Sequence, residues 1–167
     1  MDKAQLQAVQ APLKEQYIKD PDAAFITLRA EGELGDEDVS CSVATGKALV
    51  EAGLHPATGG DGTQACSGDM LLQALVACAG VTLRSVATNR GVEVHGAVRA
   101  EGDLDFRGTL GVDREAPVGF RSIRLLFDLD TDLDHDALDA LIKTTERYCV
   151  VYQTIKAGTE VSVGYSA

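Results

Sequence analysis

The stretch Gly68–Arg90, GDMLLQALVACAGVTLRSVATNR, is the longest in this 167-residue chain that reads without interruption as a buried helix. Asp69 stands at its start, where a carboxylate accepts hydrogen bonds from free backbone N–H groups and meets the positive end of the helix dipole. Leu71, Leu75, Cys78, Thr82 and Val86 follow at steps of four, three, four and four, so they share one face. Leu72, Val76, Ala79 and Leu83 form a second apolar face beside it. A helix apolar around most of its circumference belongs inside a protein. Gly80 weakens it by up to about 1 kcal/mol relative to alanine, and a closely approaching backbone is one reason to accept that cost. Cys78 is therefore expected mid-helix on a core-facing stripe.

Working outward, residues 3 to 19 read as a helix, with Leu6, Val9, Leu13 and Tyr17 at helical spacing and Pro12 as a kink or break. Asp20-Pro21-Asp22 ends it, so residues 1–22 are expected to be a helical arm docked on a domain of residues 23–167. Ala24–Glu33 and Val39–Thr45 alternate as strands on either side of the acidic turn Gly35–Asp38, and Lys47–Ala52 reads as strand or helical turn. Gly53–Gly68 is a glycine-rich loop feeding the central helix. Glycines before a helix suggest a phosphate cradle, but no strand leads in, no lysine follows, and Asp61 and Asp69 would repel an anion. After the helix come the expected strands Val92–Asp103 and Phe120–Leu129, with a continuation or hairpin over Asp103–Val112.

A second long helix is expected from Asp134 to Ala157. Leu138, Leu141, Ile142, Thr145, Tyr148, Cys149 and Tyr152 fall on one of its faces, and Glu160–Tyr165 then reads as an edge strand. The acids Asp128, Asp130, Asp132, Asp134 and Asp136 resemble a calcium loop only superficially, because Leu133 occupies the glycine position and Asp139 the final glutamate position. Strands in runs between long helices indicate α+β with antiparallel sheets.

The formal charge of −11 opposes nucleic-acid and anionic-membrane binding. The N-terminus is polar, and no apolar run approaches the roughly 20 residues of a membrane span, so a cytoplasmic protein is expected. In that reducing compartment the four cysteines (Cys41, Cys66, Cys78, Cys149) are expected to be thiols. There is no C-x-x-C pair and the three histidines are scattered, so no zinc-ligand spacing exists. Cys41 and Cys66 read as packing or exposed thiols. Cys78 and Cys149, on inward faces of two helices, allow two readings. They act as small hydrophobes, or they face each other and form a disulfide cycle in which a thiolate attacks a peroxide oxygen.

The run GDMLLQALVACAG, followed about seventy residues later by Cys149-Val150-Val151, resembles the OsmC/Ohr family of osmotically inducible and organic-hydroperoxide-resistance proteins. The resemblance covers roughly residues 24 to 166. It implies an OsmC-like α+β fold, with antiparallel sheets wrapped around two central helices in an intertwined homodimer. It also implies a thiol-dependent peroxidase with no metal or organic cofactor, reduced by an external dithiol such as one of lipoyl type. Cys78 matches the attacking cysteine and Cys149 the resolving one. The alternative is a non-enzymatic dimeric binding protein of the same fold, with an apolar interface pocket.

Three positions depart from the family pattern. The second cysteine is followed by Val150-Val151 where Pro-Val is usual. The orienting carboxylate position, ten residues before Cys78, is Gly68, leaving Asp69 as a displaced substitute. The Glu33–Asp38 loop carries no arginine, so Arg29 is the N-terminal candidate, with Arg84 and Arg147 as others. A thiol of ordinary pKa, near 8.5, needs a cation or donors to ionise at neutral pH. Cys78 lies too far along its own helix for that helix's dipole to supply them.

Overall fold

The computed structural model describes residues 2–19, 32–34, 40–44, 49–111 and 113–165. The chain forms two compact units. One comprises Met1–Leu6, Ala74–Arg99 and Leu126–Ala167; the other comprises Gln7–Gln73 and Ala100–Leu125.

Helix α1, Lys3–Lys19, runs as one piece through Pro12. Asp2 and Gln5 cap its start reciprocally: Gln5 N–H donates to Asp2 Oδ1 at 2.8 Å and Asp2 N–H to Gln5 Oε1 at 2.9 Å. The strand expected over Ala24–Glu33 lies largely outside the described residues, as does the turn Gly35–Asp38.

In the second unit, β1 (Gly32–Leu34), β2 (Ser40–Ala44) and β3 (Leu49–Gly53) form an antiparallel sheet in that order. The ambiguous segment near Lys47 is thus a strand. The Gly53–Gly68 stretch is more ordered than its glycines suggest. It holds a 3-10 turn, Pro56–Thr58, capped by His55 Nδ1 accepting from Ala57 N–H, and a two-residue strand β4 (Ala65–Cys66) parallel to β3. A strand does therefore lead into the central helix, contrary to the sequence reading.

The expected hairpin over Asp103–Val112 is replaced by a short helix α3, Phe106–Thr109. Asp105 caps it by accepting from Arg107 N–H. The Arg107 guanidinium beside it holds the Asp105 carboxyl down at about 2.

Helix α2, Ser67–Arg90, matches the predicted span, but its burial differs from the reading. Only Leu75, Ala79, Leu83 and Ala87 are fully buried, a single stripe at steps of four, while Leu71 is 40% and Val81 72% exposed. The helix is also long and apolar enough, with mean hydropathy 1.6, to pass for a membrane span by length and composition, which the sequence reading did not anticipate. Its buried stripe packs, through Leu83 and Ala87, against Val94 and Leu141. Nothing lies within 4 Å of where a Cβ on Gly80 would stand, so the close backbone expected there is absent from the described residues.

The core of the first unit joins Leu83 and Ala87 to Val94 and Leu141, with Val98, Phe127, Leu129, Leu138 and Ile142 around them. Strands β5 (His95–Asp103) and β6 (Ser122–Asp130) form a two-stranded sheet. β6 alternates exposed and inward residues along its whole length. Helix α4, His135–Tyr148, is capped by Asp134, which accepts from Ala137 N–H at 2.8 Å and accounts for one member of the acidic run. Arg90 fastens α2 to α4, donating to Thr144 Oγ1 at 2.6 Å and to Ala140 O at 3.3 Å.

Two expectations near the C-terminus fail. The single helix Asp134–Ala157 is two helices, α4 and α5 (Val150–Ala157), broken at Cys149. Glu160–Tyr165 is not a strand: Val161, Val163 and Tyr165 are 82%, 93% and 98% exposed, and no neighbouring strand lies beside them among the described residues.

Two substitutions test this core. Leu141→Ala removes a side chain with no exposure and should cost about 2–5 kcal/mol. Gly96 has φ +120°, and a Cβ there would stand 2.0 Å from Asp128 O, so Gly96→Ala must shift backbone and should also destabilise. Urea unfolding of both variants is the measurement, with Gly119→Ala, where the added methyl meets nothing within 4 Å, as a near-neutral control.

Candidate functional site

Cys78 and Cys149 both belong to the first unit, and both are free thiols. Cys78 is half-buried on α2, one residue from fully buried Ala79, and Cys149 has no exposure at all. Cys149 is not on the face of a continuous helix. Its backbone is extended (φ −75°, ψ 105°), so it closes α4 and opens α5 at once. Its N–H makes the last bond of α4, to Thr145 O at 2.9 Å, and its carbonyl takes the first of α5, from Gln153 N–H at 3.0 Å. Gln153 Nε2 braces the junction through Glu146 O at 2.8 Å.

The break leaves the amides of Val150, Val151 and Tyr152 without acceptors inside α5, as at any helix start. The Cys149 side chain makes no capping hydrogen bond to them. Burial pushes the Cys78 thiol up and is the largest single influence. The Val151 amide, the Cys149 thiol, the Val150 amide and the Thr82 hydroxyl together outweigh it, and Cys78 is more acidic than an ordinary thiol. Thr82 Oγ1 also donates to Cys78 O at 2.7 Å, which leaves it the smallest contributor to the sulfur.

Cys149 shifts the other way. Burial raises it most; the Tyr152 and Val151 amides partly offset this, while donation to Cys78 and the negative charge there raise it further. The two thiols are thus unequal, with Cys78 the first to ionise and Cys149 held as its protonated neighbour.

The other sequence candidates are not brought to this point. Asp69 is exposed in the first turn of α2, nine residues before Cys78 and so about 13 Å away along the axis. Arg84 donates to Val94 O at 2.9 Å, and the Arg147 guanidinium lies 5.6 Å from the Tyr148 ring centre. Arg29 lies outside the described residues. Cys66 is a half-buried thiol on β4, and Cys41 falls on β2.

The site's activating groups, the first amides of α5, were missed by reading side chains. A signal did exist. The family pattern places proline after the second cysteine, and proline is at home at the first position of a helix, so that pattern marks a helix start at 150.

A family model described as OsmC-like protein matches residues 60–164. The chain belongs to the OsmC-like protein family. No functionally curated protein sequence matches it. Among solved structures, the OsmC-like protein from Mycoplasma pneumoniae is similar, at 17% identity and a TM-score of 0.64, over 78% of this chain and 88% of that one. An organic hydroperoxide resistance protein OsmC from Legionella pneumophila matches at 17% identity and a TM-score of 0.58, over 80% and 91%. The organic hydroperoxide resistance protein OhrB of Bacillus subtilis matches at 19% and 0.53, over 80% and 93%. At these identities the likeness shows the fold alone, and this is the OsmC-like α+β fold expected from the sequence.

The inequality of the two thiols can be measured directly. Iodoacetamide alkylation followed by peptide mapping across pH should give Cys78 a midpoint below that of an ordinary cysteine. Cys149 should react only at higher pH. Indistinguishable midpoints would contradict the geometry.

Proposed function

We propose that this OsmC-like chain is a thiol-dependent peroxidase that reduces hydroperoxides through a Cys78–Cys149 disulfide cycle. One observation carries the reading: an acidified, half-buried thiol beside a fully buried, protonated one, at the start of a helix. The Cys78 thiolate attacks the terminal oxygen of a hydroperoxide. The O–O bond breaks, the alkoxide leaves and takes a proton as alcohol, and Cys78 becomes a sulfenic acid. The Cys149 thiol then attacks that sulfur, the S–O bond breaks, water leaves, and a disulfide forms. An external dithiol, such as one of lipoyl type, restores both thiols by exchange and is itself oxidised. The neighbours named for organic hydroperoxide resistance support this substrate class.

In this reading Arg29 would help activate the Cys78 thiol, with Asp69 orienting that arginine only if α2's first turn came closer than the roughly 13 Å that separates it from Cys78, and residues 1–22 would be an arm on the 23–167 domain. A reducing cytoplasm suits the resting thiols. The protein would work as a homodimer, which fits the exposed apolar residues Leu71, Val81, Val161 and Val163 on this chain. Sedimentation at micromolar concentration should then give twice 17.6 kDa. A monodisperse folded monomer would remove the interface from the proposal.

A second reading, a dimeric binding protein whose cysteines only pack, has one observation in its favour. A cleft of about 380 Å³ beside Gly80 is floored by Leu83, Val94, Val98 and Leu129, a size suited to a small apolar ligand.

Serine variants separate the two. With dithiothreitol as reductant and an organic hydroperoxide as substrate, Cys78→Ser should abolish turnover, since a hydroxyl supplies no thiolate. Cys149→Ser should react once and accumulate a sulfenic acid at Cys78. In the native protein, mild peroxide should link Cys78 to Cys149. Full activity in Cys78→Ser would overturn the Cys78 cycle, and a native protein without turnover would favour the binding protein.

A further inference from the structure

We propose that Gln153 is a positioning residue: its side-chain amide, bonded to Glu146 O across the break at Cys149, holds the α4–α5 junction open and fixes where the Cys149 thiol is presented. The consequence for the disulfide cycle rests on the peroxidase reading; the hold on the junction does not. In an unbroken helix Glu146 O would accept from Val150 N–H, four residues on. The extended backbone of Cys149 (φ −75°, ψ 105°) interrupts that pattern. The last bond of α4 runs from Cys149 N–H to Thr145 O at 2.9 Å, and the first of α5 from Gln153 N–H to Cys149 O at 3.0 Å. Glu146 O is therefore one of the carbonyls that a helix end leaves over. Gln153 Nε2 donates to it at 2.8 Å.

Gln153 thus grips the junction twice, by its main-chain N–H at Cys149 O and by its side chain at Glu146 O. Glu146 receives a longer contact from the same helix, since Tyr152 Oη donates to its Oε2 at 3.4 Å. The Gln153 bond is the short one, and because it is made to backbone it depends directly on the chain path. A continuous helix would hold residues 146 and 153 about 10.5 Å apart along its axis, with Glu146 O already taken by Val150 N–H. The side-chain bond therefore favours the broken path. The continuous path is the real competitor, because Tyr148, Cys149 and Tyr152 lie on one helical face by spacing. Passing from extended to helical backbone would swing the Cys149 side chain, which has no exposure in the broken form.

Gln153 is itself exposed, so it can be changed without opening the core. Gln153→Met keeps the length of the side chain and removes the donor. Gln153→Glu keeps its shape and sets an acceptor against the carbonyl. Gln153→Lys restores a donor, and a cation is favoured at the C-terminal end of a helix such as α4.

The experiment uses the full chain with Cys41→Ser and Cys66→Ser, so that only Cys78 and Cys149 react. Dithiobis(nitrobenzoate) is the probe. The Cys78 thiolate cleaves its S–S bond, releasing one arylthiolate and leaving a mixed disulfide. The Cys149 thiol then attacks the Cys78 sulfur, gives its proton to the buffer and expels the second arylthiolate, so two electrons pass from the cysteines to the reagent. The second release, independent of reagent concentration, reads the presentation of Cys149. Gln153→Met should slow it about five-fold, the scale of one net hydrogen bond, Gln153→Glu should slow it at least as much, and Gln153→Lys should restore it. In the reduced protein the Cys149 Cα resonance should move toward helical values in the same order. Native behaviour in Gln153→Met and Gln153→Glu overturns the proposal, as does a lysine variant no better than the methionine one. The resonance requires neither reagent nor turnover. An inactive native protein whose variants follow this order would sink the peroxidase reading and leave the role of Gln153 standing; an active one whose variants all match it would do the reverse.

Discussion

The site depends on one backbone event: the helical path cannot run through Cys149. Because Cys149 is extended, α4 ends on its N–H and α5 begins from its carbonyl. The first amides of α5 then need acceptors outside their own helix. The Val151 and Val150 amides and the Cys149 thiol together make Cys78 of α2 more acidic than an ordinary thiol, against the burial that opposes this. A helix N-terminus favours a nearby negative charge by about 0.3–1 kcal/mol when exposed and up to about 2 kcal/mol when partly buried. That scale is enough to bias ionisation of one thiol over another without burying an ion pair.

The same junction makes the two sulfurs different. Cys149 is fully buried, and any charge on Cys78 opposes a second charge beside it. The pair titrates as a unit with the first proton leaving mainly from Cys78. The core holds this arrangement in place: Leu141 and Thr145 of α4 are buried two turns and one turn ahead of Cys149, and Arg90 ties α2 to the same helix. Packing on α4 is thereby transmitted to the position of the second thiol.

The acidic balance of the chain gives this backbone solution a rationale. Several of its arginines are occupied locally. Arg84 is bonded to a carbonyl, Arg90 to α4, Arg107 to Asp105, and Arg124 to Glu101 and Asp103. A chain carrying −11 has few cations to spend on a thiolate. Amide dipoles carry no net charge and cost nothing in that balance.

Much of the fold was legible in the sequence. The span of α2, the strands at Ser40–Ala44 and His95–Asp103, and the capping acid Asp134 follow from periodicity, β-branched runs and helix-start chemistry, all of which act within a few residues. Both cysteines could be singled out for the same reason, since each lies on an apolar helical pattern. What neighbours do to those patterns could not be read. Leu71 and Val81 are as apolar as Leu75 and Leu83, yet only the latter two are buried, because burial depends on which face meets α4 and the β5–β6 pair. Val161–Tyr165 alternates like a strand but has no strand beside it among the described residues. The face shared by Tyr148, Cys149 and Tyr152 predicted a continuous helix, and tertiary structure broke it at the second of these. Periodicity records which side chains are apolar and is blind to where backbone donors end unpaired. The acidity of Cys78 comes from such donors, seventy residues away in sequence, so only the folded chain could decide it.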